Sequence, residues 1–186
     1  PHIFIENVCM KEEDTAVFNR TFSLEPIYLQ AGLLSACRRP RMYWTSLEVA
    51  EVGFAAAKNS PTLQKILDNE YYSPFSKAYT IKASSQPVSE SMTEKYLFVP
   101  KRRYNGTWNR ESYTFLCPVG YDKDKVSNWT SPDAQEIEKL MGVPVGYTEP
   151  SVAPEDDAEE SRVDKNRRHA LGNGFSIPAV RHIFRS

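Results

Sequence analysis

The stretch PHIFIENVCM, residues 1–10, combines four β-forming apolar side chains with an acid and an amide. Ile3, Phe4 and Ile5 stand directly before Glu6, and Val8 follows shortly after it. Such a run is typical of a buried strand that carries a carboxyl group to the rim of a sheet. Enzymes of the α/β class bind their ligands at that rim. Glu6 is therefore a candidate catalytic residue.

Length and composition limit the classes of protein to which this chain can belong. Its 186 residues suffice for one domain with a hydrophobic core, or for one domain with an inserted module. Lysine and arginine total 23 against 24 acidic residues, so overall charge gives no sign of a nucleic-acid partner, and only local clusters can do so. The longest apolar run is too short to cross a bilayer. We expect a soluble, intracellular protein without a membrane partner.

Cysteine and histidine residues give no sign of a metal site. Cys9, Cys37 and Cys117 are odd in number and widely spaced, without a CxxC pair. This spacing argues against both a disulfide framework and a zinc site. The three histidines are likewise scattered. We therefore expect no metal cofactor.

A basic segment separates two apolar runs near the start of the chain. The runs are residues 26–36 and 42–47, and the segment between them includes Arg39 and Arg41, which predicts a β-hairpin with a basic tip. One interpretation of the tip is a solvated turn. The alternative is that two arginines at i and i+2 point to the same side, where their forked donors bind a phosphate or a base carbonyl.

Several helices can be placed from their end signals. A short one is expected over residues 15–22, and Ser60-Pro61 predicts another, to about residue 69. Ser131-Pro132-Asp133 predicts a helix that ends at Gly142. Residues 150–160 are acidic with little to bury, which favours a mobile loop. Residues 175–184 indicate an amphipathic helix or a helix–strand junction.

The middle of the chain is rich in tyrosine, serine and lysine. Short strands such as residues 95–99 and 113–116 are expected there, joined by long polar links. Residues 76–91 have neither a helical nor an alternating apolar pattern. Three cations, at 101–103, stand beside Tyr104. Surface loops explain these features, but long loops with cations next to aromatics also suit a phosphate backbone.

Four motifs occur in one order along the chain: ENV (6–8), RPRMYW (39–44), GVPVGYT (142–148) and LGNGFSIP (171–178). Together they resemble the later half of the cytosine-5 DNA methyltransferases, over nearly the whole chain. The segments FSKAYTI (75–81) and IPAVRHIF (177–184) are most similar to the animal-type de novo DNA methyltransferases. The plant domain-rearranged methyltransferases are the second resemblance.

The resemblance implies a fold and a division of the chain. The fold would be α/β: part of a Rossmann-like class I methyltransferase sheet with an inserted, mostly irregular or β target-recognition domain. Residues 1–47 would supply strands of the catalytic core, and residues 48–130 the recognition domain. Residues 131–186 would return to the catalytic core and carry the cofactor-side motif.

The resemblance also implies a reaction and a set of site residues. In this family a cysteine thiolate adds to C6 of a flipped cytosine, and C5 takes a methyl group from S-adenosyl-L-methionine. Glu6 would bind N3 and the amino edge of the base, Arg41 would bind O2, and Arg39 would support the loop or the thiolate. Asn173, Phe175 and Ser176 would bind the cofactor. The residues expected to contact double-stranded DNA are Lys77, Lys82, Ser84, Ser85, Gln86, Lys101, Arg102 and Arg103, and Arg167 or Arg168 would join the recognition region to the catalytic sheet.

Two departures from the family pattern change what is expected. The glycine-rich cofactor loop and the Pro-Cys nucleophile are absent from the sequence, since Cys117 precedes Pro118. A complementary half would have to supply both. Ser84 falls where the animal enzymes read a guanine with an arginine, so CpG preference is not expected, and Lys82, Ser85 or Gln86 would read another context.

Partners and location follow from the same resemblance. Glu149 and Arg167 fall near positions through which the de novo enzymes associate, which predicts a homo- or hetero-oligomer through this region, with a solvated charged face as the alternative. The expected location is the nucleus, or the cytoplasm for a bacterial or viral protein. A non-catalytic DNA-binding or regulatory subunit is the main rival function. An RNA methyltransferase of the same family is a third.

Overall fold

Our computed structural model describes residues 2–81, 114–151, 153 and 155–186, except for the side chain of Phe54. Helices and small antiparallel sheets share this part of the chain, which agrees with the α/β class. The predicted strand at residues 95–99 lies outside the described residues. None of the helices in the described ranges is long and apolar enough to span a membrane.

The main sheet has three strands. They are β1 (Phe4–Asn7), β2 (Ile27–Gln30) and β3 (Pro40–Thr45), in the order β1-β3-β2. Because β3 is antiparallel to both neighbours, β1 and β2 run in the same direction, joined through helix α1 (Glu12–Phe22). The short helix and the antiparallel pairing around the arginines are confirmed, and the strand at Glu6 is confirmed as a strand, although its four residues are half-buried and not buried. Three strands do not by themselves form a Rossmann-like sheet.

The apolar run before the arginines is only partly a strand. Residues Ala31–Leu33 form a 3₁₀ turn, where a continuous strand to residue 36 was expected. The side chain of Gln30 explains the change, because its Oε1 accepts hydrogen bonds from the backbone N–H groups of Gly32 and Arg39. A side chain that serves two backbone donors competes with the strand ladder and ends it.

The two faces of the sheet are covered by different helices. On one face, the indole N–H of Trp44 donates to Asn19 of α1 at 2.8 Å. On the opposite face, Tyr43 packs in a cluster with Ala179 and Ile183 of helix α6 (Ile177–Arg185). Because side chains alternate along a strand, Glu6 and Arg41 share the α6 face with Tyr43.

The segment after the sheet departs from the prediction. It contains helix α2 (Phe54–Lys58), which the sequence pattern did not indicate, and helix α3 (Leu63–Ile66). The hydroxyl of Ser60 donates to Ala57 of the preceding helix, so it does not cap α3. Thr62 caps α3 instead, and positive φ angles at Asp68 and Asn69 follow its early end. The predicted helix was therefore wrong at both ends.

Strands β4 (Tyr71–Tyr72) and β5 (Cys117–Pro118) form a second, two-stranded sheet. Before β5, Leu116 forms an isolated bridge with Thr130. The strand expected at residues 113–116 is therefore replaced by a bridge and a later pair. Residue 113 lies outside the described residues, so this prediction can be compared only over residues 114–116.

Helix α4 (Ala134–Met141) agrees with its prediction. Asp133 and Glu136 form a reciprocal capping box, and Gly142 ends the helix with φ of +77°. A Cβ atom at Gly142 would lie 2.8 Å from Cδ of Pro178. Glycine is therefore required both by the backbone angle and by the close approach of α6.

Helix α5 (Asp157–Asn173) begins inside the acidic segment that was expected to be a loop. Asp156 accepts a hydrogen bond from the N–H of Glu159, and three acidic residues occupy the first turn. Negative charges stabilise the positive end of a helix dipole, so this composition starts a helix. The loop prediction was wrong for residues 157–160.

One hydrophobic cluster joins all three predicted segments. Ala36 comes from residues 1–47, Leu63 and Leu116 from residues 48–130, and Leu140 and Leu171 from residues 131–186. The division into catalytic and recognition parts stays a prediction, because such a shared core is compatible with an insertion into one domain.

Candidate active site

Glu6 and Arg41 form a buried ion pair on the α6 face of the sheet. Glu6 stands opposite Tyr43, and Arg41 lies two residues before Tyr43 on β3. The Nε atom of Arg41 is 2.8 Å from Oε1 of Glu6, and the two side chains are 10 % and 12 % exposed. Oε1 is buried, yet it accepts no aligned hydrogen bond from a described residue. The two atoms are therefore close enough for a charge interaction, but the Nε–H bond of Arg41 does not point at Oε1 of Glu6.

This geometry suits the pair of side chains to bind a planar polar ligand. A buried carboxylate oxygen without an aligned donor is costly, because it has lost water and gained no full hydrogen bond. Arg41 donates from Nη1 to the backbone oxygen of Pro40 at 2.8 Å, which fixes the plane of its guanidinium. An acceptor and a forked donor thus lie side by side on rigid strands, an arrangement that suits a planar ligand with one edge of donors and acceptors.

Arg39 is buried as well, with 2 % of its surface exposed. Its Nη1 donates to the carbonyl of Ile81 at 3.0 Å, and its Nη2 donates to the carbonyls of Gly172 and Gly174 at 2.9 and 2.7 Å. Its Nε has no partner in the described part of the chain. Burial and then the nearby cation of Arg41 lower the pKa of Arg39, and the charge of Glu6 offsets only part of this effect. The solvated-turn interpretation of the tip is therefore wrong for both Arg39 and Arg41.

The three side chains leave one excess positive charge, since two arginines face one glutamate. Tyr43, which sequence reasoning did not select, lies among them and is 1 % exposed. Burial, followed by the charge of Glu6, raises the pKa of Tyr43 to about 12, so the phenol adds no negative charge near neutral pH. The alternation along β3 was the available signal for Tyr43, because it places residues 39, 41 and 43 on one side.

The three predicted cofactor residues lie at the junction of α5 and α6. Asn173 is exposed at the end of α5, and its Nδ2 is 3.2 Å from Nε2 of His169. The ring of Phe175 is half-exposed, with its centroid 6.0 Å from that of Phe4. Ser176 is buried, and its Oγ has no partner among the described residues. Phe4 precedes Glu6 by two positions, so the junction adjoins the face that carries the ion pair.

An apolar groove of about 490 Å³ opens beside this junction. Val143, Pro144 and Tyr147 line one side, and Leu171, Phe175 and Ile177 line the other. A groove of this size accommodates a nucleoside, and the ring of Phe175 offers an aromatic surface for stacking. The lining contains no charged side chain, so the groove suits the ring portion of S-adenosyl-L-methionine better than its charged amino and carboxylate groups.

Lys77 does not fit its predicted contact with DNA. Its Nζ donates to the carbonyl of Ser35 at 2.8 Å, to Oγ of Ser60 at 2.7 Å and to the carbonyl of Pro61 at 2.7 Å. These bonds use all three N–H donors of the ammonium group. Lys77 is therefore a cross-link within the protein. The other predicted DNA contacts lie outside the described residues: Lys82, Ser84, Ser85, Gln86, Lys101, Arg102 and Arg103.

Glu149 and Arg167, the predicted interface residues, contact each other within one chain at 3.8 Å. Arg167 lies nearer to Glu138, at 3.3 Å, and its Nε donates to Oγ1 of Thr148 at 3.0 Å. An oligomer through this region stays a prediction. Arg168 donates to Asp164 at 2.5 Å and to the carbonyl of Pro132. Among the described residues, the hydrogen bonds of both arginines go to partners between residues 132 and 164, whereas Arg39, next to β3, bonds to Ile81.

Sequence reasoning did not select Glu138, which is fully buried. It accepts hydrogen bonds from the backbone of Gly146 at 2.6 Å, from the backbone of Thr148 at 2.7 Å and from the hydroxyl of Thr148 at 2.5 Å. Burial alone would raise the pKa of this carboxyl, but the bonds from Thr148, Gly146 and Arg167 outweigh burial and lower it. Glu138 thereby fixes the turn that forms one side of the groove.

Within the described ranges, no three or more histidine, cysteine or acidic side chains are grouped to hold a metal ion. Cys9 is exposed, whereas Cys37 and Cys117 are buried thiols. A comparison with protein-family models finds no match for the chain.

Proposed function

We propose that this chain is the target-recognition and C-terminal catalytic half of a cytosine-5 DNA methyltransferase. A complementary half would supply the cofactor-binding strands and the Pro-Cys nucleophile. The observation that carries the proposal is the buried contact of 2.8 Å between Glu6 and Arg41 on neighbouring strands. Both residues also belong to motifs that occur in the family's order.

The chemistry of cytosine suits this pair. The amino group of cytosine donates hydrogen bonds, and a carboxylate oxygen such as Oε1 of Glu6 accepts them. N3 and O2 of the base are acceptors, which a protonated carboxyl and a guanidinium can serve. Glu6 would hold the N3 and amino edge, and Arg41 would hold O2. The two side chains would separate slightly so that the base edge replaces part of their mutual contact.

The excess positive charge suits the reaction. Addition of a thiolate to C6 places negative charge on the ring, at N3 and O2. Arg41 at O2 stabilises that charge directly, and buried Arg39 adds to the local positive potential. A proton shared between Glu6 and N3 would act in the same direction. S-adenosyl-L-methionine, when bound, supplies the methyl group for C5.

The pairing of the strands supports the proposal that further strands complete the sheet. In the described part of the chain β1 pairs with β3 alone, so the other edge of β1 is open to another strand. Large α/β sheets often carry an antiparallel strand near one edge, as β3 is here. We therefore propose that β1, β2 and β3 form one end of a Rossmann-like methyltransferase sheet.

The proposal extends to partners and location. The substrate would be double-stranded DNA in a sequence context other than CpG, since Ser84 cannot make the forked contact of an arginine. Phe175 would stack on the cofactor in the apolar groove, and the complementary half would hold the charged end of the cofactor. The protein would work in the nucleus, or in the cytoplasm if its source is bacterial or viral.

A non-catalytic regulatory subunit is the second candidate. It is favoured by the mutual contact of Glu6 and Arg41, because two buried charges that satisfy each other can serve structure alone. Against it, buried ion pairs contribute little net stability, and an apolar pair of the same volume is often at least as stable. A chain without chemistry would therefore gain little stability from this pair.

Transfer of labelled methyl from S-adenosyl-L-methionine to double-stranded DNA tests the proposal. The chain is assayed alone and together with a candidate half that carries the glycine-rich loop and the Pro-Cys motif. We expect activity only in the mixture. If neither sample is active while the chain binds DNA and increases the activity of an intact methyltransferase, the regulatory function is correct and the proposal is wrong.

A further inference from the structure

Arg39 is the one side chain in the described ranges that donates hydrogen bonds to both the 81 and the 172–174 segments. Ile81 immediately precedes the predicted recognition residues. Gly172 and Gly174 flank Asn173, and Gly174 lines the apolar groove. One planar group thus connects the start of the predicted recognition loop with the predicted cofactor side. Arg39 itself precedes β3, two residues from Arg41.

The segment before Ile81 is hydrogen-bonded to the residues that directly precede Arg39. The backbone N–H of Arg38 donates to the carbonyl of Ala78 at 2.8 Å, and the N–H of Ala78 donates to the carbonyl of Ala36 at 2.7 Å. The hydroxyl of Thr80 donates to the carbonyl of Arg38 at 2.7 Å. These bonds join residues 36–38 to residues 78–80, so a shift of the recognition segment is transmitted to Arg39.

The same guanidinium of Arg39 also contacts one wall of the groove. Its Nη2 holds the carbonyls of Gly172 and Gly174 together, at the point where α5 ends and the chain turns toward α6. Phe175 follows Gly174 directly, and its ring lines the groove. A change in the position of the guanidinium therefore changes the position of the predicted stacking surface.

Burial of the Arg39 cation costs free energy, which indicates that its forked geometry is needed. A cation buried to this extent is normally paired with a carboxylate, but among the described residues Arg39 donates only to neutral carbonyls. Lysine carries the same charge on a flexible stem, so it would not hold these three carbonyls from one rigid plane. Structural cross-linking alone does not require this group, since Lys77 joins other loops with an ammonium.

We infer that Arg39 is a positioning residue that couples DNA binding to cofactor binding, and that it does not touch the reacting base. This inference rests on the proposed function. DNA binding that shifts residues 78–81 would shift Arg39, and Arg39 would shift the Gly174–Phe175 wall of the groove. Because coupling between binding sites is reciprocal, each ligand raises the affinity for the other by the same factor.

The test measures the dissociation constant of S-adenosyl-L-homocysteine for the completed enzyme, with and without a saturating DNA duplex. For the native protein we expect DNA to tighten this binding by at least about 5-fold, the lower end of usual allosteric couplings. In Arg39→Lys the factor should fall close to 1, even though each ligand still binds. Lys77→Met is the control, because it removes a half-buried cation that also makes three hydrogen bonds, and it should keep the native factor.

The outcomes separate the inference from the function. If Arg39→Lys keeps the native factor, or if Lys77→Met loses it equally, Arg39 has no special role in coupling. A native factor of 1 with both ligands bound overturns the coupling and leaves the proposed function standing. If the native enzyme binds neither DNA nor the homocysteine probe, both are wrong.

Hydrogen exchange on the native protein tests the same coupling if Arg39→Lys fails to fold. Addition of the duplex without any cofactor should slow exchange of the backbone amides in residues 172–176 by at least about 5-fold, the same factor. Lys77→Met should behave like the native protein. Exchange at these amides that is unchanged by bound duplex would overturn the inference.

Discussion

Replacement of Glu138 by glutamine should destabilise the protein strongly, although the two side chains have nearly the same shape. The carboxylate is fully buried and accepts bonds from Gly146 and from two groups of Thr148 at 2.5–2.7 Å. The amide offers one acceptor oxygen and an NH₂ group that would face these donors. Arg167, whose side chain is 14 % exposed, would also lose its nearest counter-charge.

The expected magnitude follows from these losses. Removing one partner of a buried charge pair costs about 3–5 kcal/mol, because the other charge stays buried and unpaired. With a urea m-value of about 2 kcal/mol per molar, the unfolding midpoint should fall by about 2 M. Urea unfolding at pH 7, followed by circular dichroism, measures this shift. The matched control is Glu48→Gln, an exposed glutamate for which a change within about 0.5 kcal/mol is expected.

The pH dependence gives an independent check of the same interaction. Hydrogen bonds lower the pKa of Glu138 in the folded protein, whereas the unfolded chain keeps the ordinary value near about 4.3. The stabilisation is therefore complete above that value and is lost as the pH falls through the lowered folded pKa. The difference between native protein and Glu138→Gln should shrink over this range. A loss at pH 7 no larger than that of Glu48→Gln would refute the reasoning.

Three further variants test other parts of the account. Gly142→Ala should lower the free energy of unfolding by about 2–4 kcal/mol, because a positive φ and a close approach to Pro178 both penalise a Cβ; Gly53→Ala, with open space around it, should be nearly neutral, and equal effects would remove the steric argument. Lys77→Met should cost about 1–3 kcal/mol in urea unfolding, since buried acceptors lose their donor, and an unchanged midpoint would contradict the cross-link. Alanine at residues 101–103 should weaken binding to all DNA sequences and reduce the salt slope by about 0.9 for each phosphate that is no longer neutralised; an unchanged slope would exclude these residues from the interface.

Local sequence signals predicted the parts of the fold that local interactions determine. The Asp133 cap and the positive φ at Gly142 set the two ends of α4, because each depends only on the adjacent turn of backbone. Of the two interpretations left open for the basic tip, only the one with both arginines on one side agrees with their burial, and the pairing of β3 with β1 brings Glu6 to Arg41. Ser60 failed as a cap because a nearer helix, α2, uses its hydroxyl.

Side chains that act between distant segments could not be assigned in this way. Lys77 was predicted to contact DNA, yet its partners lie 16, 17 and 42 residues away in sequence within the protein. Glu138 stands in a helix with other charged residues, and only the turn at residues 146–148 distinguishes it from a solvated acid. The role of Arg39 depends on carbonyl groups, which carry no side-chain signal in a sequence.

The most direct measurement is labelled methyl transfer by the completed enzyme with Glu6→Gln and Arg41→Ala, together with the dissociation constant of each variant for duplex DNA. Both residues would act on the flipped base, so turnover should be abolished while DNA binding stays mostly intact. Arg20→Ala, which changes an exposed arginine on α1, should retain native turnover. Turnover close to native in either site variant, or a loss of DNA binding as large as the loss of turnover, would contradict the account.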